Sequence, residues 1–81
     1  MFYVYINYSS KFDKYYIGQT ENFKSRFDLH NLGLVKSTKA YLPWINVLII
    51  EKSTRSEAMI IEKKLKNLNR KRLIEFIEKY K

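Results

Sequence analysis

Two runs of aromatic and β-branched residues, Phe2–Asn7 and Tyr15–Ile17, stand close together at the start of the chain, separated mainly by the polar stretch Ser9-Ser10-Lys11-Phe12-Asp13-Lys14. Serine, aspartate and lysine supply turn chemistry, so the simplest fold for the pair is an antiparallel hairpin with a loop of about six residues. Alternation sends Phe2, Val4 and Ile6 to one face of the first strand and Tyr3, Tyr5 and Asn7 to the other. Gly18 ends the second strand, where a residue without a Cβ permits either a positive φ or the close approach of another group.

Helical signals follow. Thr20 is the predicted N-cap and Glu21 suits the first turn of a helix reaching Asn31, with Phe23 and Phe27 turned to a core. Arg26 and His30 share a stripe about a quarter turn away, at the edge of the buried face, where they can overhang the tyrosine strand ends. Gly33 closes this region, and Leu34–Leu42 reads as a loop before Pro43. Trp44–Glu51, with Ile45, Val47, Leu48, Ile49 and Ile50, has the composition of a strand buried on both faces and is expected to be the central one.

Thr54 and Glu57 form a capping box for a second helix with Ala58, Ile61 and Leu65 as its apolar stripe, ending near Asn69. Asn69 caps a final helix whose apolar face is Leu73, Ile74, Ile77 and Tyr80. The order β-β-α-β-α-α predicts an α+β fold, a small three-stranded antiparallel sheet packed with about three helices, in one domain over residues 1–81. A chain of 81 residues has a lean core, for which an aromatic content of 16% compensates.

The absence of cysteine excludes disulfides and thiolate metal sites and fits a reducing, cytoplasmic compartment. No apolar run is long enough to cross a bilayer, and the amino terminus lacks the pattern of a signal peptide, so membrane and secretory roles are not expected. A formal charge of +8 favours a polyanionic partner, and nucleic acid fits because phosphate neutralisation releases condensed counterions.

Tyr3-Val4-Tyr5 and Tyr16-Ile17-Gly18, followed by Arg26 and His30, bring phenols, a fixed cation and a titratable ring into the first part of a basic chain, a combination suited to chemistry on phosphate. With Tyr15-Tyr16-Ile17-Gly18, Arg26, His30 and Glu62 in this order, the chain resembles the GIY-YIG nuclease family over almost its whole length. Its short, single-domain bacterial members are the most similar, with counterparts of Lys39-Ala40-Tyr41-Leu42-Pro43-Trp44 and of Ser56-Glu57-Ala58 through Glu62-Lys63.

The resemblance implies hydrolysis of DNA phosphodiester bonds with one divalent ion, Mg2+ or Mn2+. Tyr5 is then the general base or its relay, His30 the acceptor of its proton, Tyr16 a hydrogen-bond donor to the phosphate or an ordered water, Arg26 the stabiliser of developing negative charge and Glu62 the metal ligand. Lys36, Lys39, Lys63, Arg70 and Lys71 are the candidate nucleic-acid contacts. Such a module suits branched, nicked or single-stranded DNA in repair or recombination, or cooperation with a protein partner, since the larger relatives gain target choice from an added DNA-binding domain.

Each assignment has a plainer counterpart. The tyrosines can be strand aromatics, Arg26 a solvated helix residue, His30 a helix-end residue favoured by the dipole, and Glu62 the partner of Lys66. The first triplet has Tyr3-Val4 where the family name has glycine and isoleucine. The asparagine of larger members falls here at Ile74, and Asn67 and Asn69 lie too early to replace it. The other function classes open to the chain are a nucleic-acid-binding module of the same fold with little or no cleavage, and a basic interaction protein using the sheet as a scaffold.

Overall fold

The structure, a computed structural model, describes residues 1–81. Its elements are β1 (Phe2–Ser9), β2 (Lys14–Thr20), α1 (Phe23–Asn31), β3 (Ile45–Lys52), α2 (Arg55–Lys66) and α3 (Arg70–Tyr80), the order predicted from sequence. The three strands form one antiparallel sheet in the order β2-β1-β3.

β1 is therefore the central strand, and β3, expected in that place, is an edge. Val4, Tyr5, Ile6 and Asn7 are all buried, whereas Ile45 and Ile49 of β3 are exposed. Val4 and Ile6 face α2 and α3, while Tyr5 faces the α1 side, so both faces of β1 are covered although its sequence alternates like a half-exposed strand. A register shift between Ile6 and Asn7 interrupts the β1–β3 ladder.

Strand pairing extends from Tyr3↔Thr20 to Ser9↔Lys14, which confines the hairpin turn to Ser10–Asp13, with Asp13 in the left-handed region at φ 53°. The loop is tighter than expected, and β2 continues past Gly18. Because Thr20 is still in the ladder, it does not cap α1. Asn22 does so, accepting the Ser25 N–H at 3.1 Å, and the Thr20 hydroxyl accepts the Asn22 N–H. His30 is the buried residue of α1; Phe23 and Phe27 are half-buried and stack at 5.4 Å.

Thr54 caps α2 as predicted, with Glu57 reaching back to hydroxyls and not to the Thr54 backbone N–H of a full capping box. Thr54 Oγ1 accepts the Glu57 N–H, and Glu57 Oε1 accepts the Thr54 and Ser53 hydroxyls. The helix stops at Lys66, and Asn69 caps α3 as predicted by accepting the Arg72 N–H at 2.9 Å. Leu73 and Ile77 enter the core with Val4, Ile6, Leu48, Ala58 and Leu65. Ile74 and Tyr80 are exposed instead, and Phe76 packs against the core in their place. No helix is long and apolar enough to cross a membrane. The segment after α1 bends through Gly33 at φ 75° and a 3-10 turn at Lys39–Tyr41, and it buries Thr38.

Candidate active site

Tyr5 projects from β1 directly opposite Gly18 of β2. A Cβ at Gly18 would stand 2.5 Å from the Tyr5 hydroxyl and 3.2 Å from Cε1 of Tyr16, so close approach, rather than a positive φ, is what the glycine permits. The Tyr16 ring lies 6.2 Å from the Tyr5 ring, 4.9 Å from His30 and 6.1 Å from Trp44. Phe23 closes another side of Tyr5 in an edge contact at 5.6 Å.

His30 comes up from α1 and has no solvent exposure. Its Nε2 is 3.1 Å from the Tyr5 hydroxyl and its Nδ1 is 2.7 Å from Thr38 Oγ1. One turn earlier, the half-buried Arg26 guanidinium stands near the Tyr5 and Tyr16 hydroxyls, close enough for its charge to act on them, without closing a hydrogen bond to either. Tyr5, Tyr16, Arg26 and His30 are thus brought together on the α1 side of the sheet.

Burial sets the charge states. It pushes the Tyr5 phenol above its ordinary value, with Arg26 opposing the rise and Tyr16 and Glu62 adding to it. Burial also holds His30 below the ordinary imidazole value, and the positive charge of Arg26 adds to this effect. At neutral pH the site therefore presents a neutral phenol beside a neutral imidazole, with a permanent cation above them. A phenol so placed becomes an effective base only by passing its own proton onward, and the imidazole is the group in contact to receive it.

Glu62 stands on α2 beside β2. Its Oε1 accepts from Gln19 Nε2 at 3.3 Å, and its Oε2 pairs with Lys66 at 3.3 Å, so the plain i,i+4 pairing expected from sequence is also present. The Glu62 charge still reaches the Tyr5 hydroxyl. Glu57, the other carboxylate of α2, is consumed by the α2 cap. No group of three or more histidine, cysteine, aspartate or glutamate side chains gathers anywhere in the molecule. A single carboxylate suits a hard cation that keeps several waters and completes its shell with substrate phosphate, and it does not suit one needing a full protein cage.

The candidate nucleic-acid contacts do not form one patch. Lys36 and Lys39 are exposed in the segment leading away from α1, while Lys63 and Lys71 are exposed on α2 and α3, across the sheet. Arg70 is engaged within the fold. It donates to the Asp13 carboxylate and backbone carbonyl and lies 5.4 Å over the Tyr15 ring, fastening the hairpin turn to the start of α3.

Sequence reasoning missed Thr38, Asn31 and Gln19. The Asn31 amide clamps the start of β3 by accepting the Trp44 N–H at 2.9 Å and donating to the Trp44 carbonyl at 3.2 Å. Trp44 in turn donates its indole N–H to the Thr38 carbonyl at 3.0 Å. Their only sequence signal was polarity at the margins of predicted elements, Gln19 between a strand end and a helix cap, Asn31 at a helix end and Thr38 in a loop, where spacing has no fixed geometric meaning. Ile74, at the position of the missing asparagine, is on the exposed side of α3 and supplies no polar contact.

A family model described as the GIY-YIG catalytic domain matches residues 1–80. Comparison with curated proteins and with solved structures gave no significant match.

Proposed function

The chain belongs to the GIY-YIG catalytic domain family, a family of nuclease domains acting on nucleic acid, and we propose that it is a divalent-metal-dependent endonuclease hydrolysing phosphodiester bonds in DNA. The observation that carries the reading is the buried contact between the Tyr5 hydroxyl and His30 Nε2 with the Arg26 guanidinium alongside.

In the proposed reaction a water adds to phosphorus as its proton passes to the Tyr5 oxygen. Tyr5 passes its own proton to Nε2 of His30, so no phenolate accumulates in a site that disfavours one. Arg26 neutralises the negative charge that builds on the phosphoryl oxygens, with Tyr16 donating to the same group. The P–O bond to the leaving oxygen breaks and that oxygen takes a proton from solvent, while His30 returns its proton to Tyr5 as Tyr5 releases the proton taken from the water to solvent, which restores the site. A divalent cation held by Glu62 would polarise the phosphoryl oxygen. Branched, nicked or single-stranded DNA, as met in repair or recombination, is the substrate class against which plain duplex should be compared, and the cysteine-free composition fits action in the cytoplasm.

The test is cleavage of labelled plasmid, duplex, single-stranded and branched DNA with magnesium, manganese or chelator. Arg26→Ala should lower kcat by about 10²–10³-fold with DNA affinity nearly unchanged. Tyr5→Phe, which keeps the ring and deletes the hydroxyl, should abolish most turnover, and Glu62→Gln should remove the response to metal. Salt-sensitive DNA binding with no metal-dependent cleavage on any substrate would overturn the reading in favour of a noncatalytic binding module.

A further inference from the structure

The direction of every proton around His30 is set by groups that have no choice. Arg26, the cation nearest the Tyr5 hydroxyl, has donors only and offers the phenol proton no acceptor. Tyr5 is 1% exposed, and the one acceptor against its hydroxyl is Nε2 of His30. Nε2 must then hold the lone pair and Nδ1 the hydrogen. That hydrogen faces Thr38 Oγ1 at 2.7 Å, which accepts it and turns its own proton to the Val35 carbonyl at 3.3 Å. The chain Tyr5, His30, Thr38, Val35 thus runs in one direction through the interior.

We infer that Thr38 is a positioning residue for the reaction proposed above, holding His30 in the Nδ1–H tautomer so that Nε2 is kept free for the Tyr5 proton. The hydroxyl is itself fixed. Thr38 is buried, its N–H donates to the Val35 carbonyl at 3.1 Å, and its carbonyl accepts the indole N–H of Trp44. Trp44 is held at both backbone groups by Asn31, the residue next to His30. The segment after α1 is in this way tied to the start of β3 with its one buried hydroxyl against the imidazole. The same bond supports the imidazolium formed during turnover, because Thr38 goes on accepting from Nδ1 in both charge states. The titratable or charged groups facing His30 are Tyr5 from β1, Tyr16 from β2 and Arg26 from α1 itself; Thr38 adds a neutral acceptor.

His30 is the sole histidine, so a long-range ¹H–¹⁵N spectrum of histidine-labelled protein reads its tautomer without substrate. The wild type should show a protonated Nδ1 and an unprotonated Nε2. Thr38→Val, which replaces the hydroxyl by a methyl of similar shape, should move the population toward the Nε2–H form. It should also lower kcat by about 10–100-fold, the usual effect of removing the partner that orients a functional histidine. Thr38→Ser should restore both tautomer and turnover.

An Nε2–H tautomer in the wild type would overturn the assignment, as would a folded Thr38→Val protein with the wild-type tautomer and kcat. Loss of activity in Thr38→Val with the tautomer unchanged would likewise reject positioning in favour of a structural role. If no DNA is cut even by the wild type, the nuclease reading fails, and with it the role in turnover, while the spectrum still decides the tautomer.

Discussion

An imidazole without solvent exposure is costly to charge, and the Arg26 guanidinium beside His30 raises that cost. The unfolded chain has no such restraint, so its histidine takes up a proton as pH falls through about 6.5. Between that pH and the lowered native value the unfolded state binds more protons, and folding stability falls as pH falls; above about 6.5 this contribution is constant. Chemical denaturation should therefore show a loss of stability from pH 7.5 to pH 5.5 that is absent in His30→Gln, with a limiting slope of about 1.4 kcal/mol per pH unit. Equal slopes in the two proteins would show that His30 accepts a proton in the folded state as readily as in the unfolded one. Asp13 and Glu57, held below the usual carboxylate range by their hydrogen bonds to Tyr8 and Ser53, contribute stability that is present above the unfolded carboxylate value and lost in a separate, more acidic window.

The β1–β2 pair works as one unit, because Gly18 leaves room for the Tyr5 hydroxyl to lie against the neighbouring backbone. A methyl group at 2.5 Å from that oxygen must displace either the Tyr5 ring or β2, and the ring is enclosed by Tyr16, Phe23 and His30. Gly18→Ala should cost about 1–3 kcal/mol, the range for overpacking a filled site. In a domain of this size each kcal/mol lowers Tm by about 4–8 °C. Cleavage should fall more than the change in folded fraction accounts for, because the displaced atom is the hydroxyl to which the proposed reaction assigns the proton transfer. A melting curve and turnover matching the wild type would refute this account of the glycine.

Across the whole molecule, a formal charge of +8 produces attraction to a polyanion, but individual cations differ in what they can give. Log affinity for duplex DNA should fall linearly with log salt, with a slope of about −0.9 for each phosphate neutralised. Lys63 and Lys71 are exposed and make no ion pair, so Lys63→Ala or Lys71→Ala should each remove about one unit from that slope if the side chain meets a phosphate. Arg70 is already paired with Asp13 and stacked on Tyr15, so Arg70→Ala should lower Tm while leaving the slope nearly unchanged. Titrations over a range of salt concentrations check both statements; a flat salt response would count against any nucleic-acid role.

The amino-acid sequence by itself determined the order of the elements, the hairpin, the caps at Thr54 and Asn69 and the tyrosine, arginine and histidine pattern that led to the family. Those signals act over a few residues, where turn chemistry, capping and periodicity are decided. Contacts between distant segments decided the rest. β1 became central because it pairs with β2 along one edge and β3 along the other, and helices cover both its faces, which its alternating sequence conceals and the apolar run in β3 misrepresents. Asn22 replaced Thr20 as a cap because pairing with Tyr3 kept Thr20 extended. Ile74 and Tyr80 fell outside the core because the position of α3 over the sheet, and not its apolar count, chose which side chains were enclosed. His30 and Thr38 acquired their relation only when the segment after α1 was drawn back against β3 through Asn31 and Trp44. Proton direction depends on which groups meet in three dimensions, and no local spacing encodes that meeting.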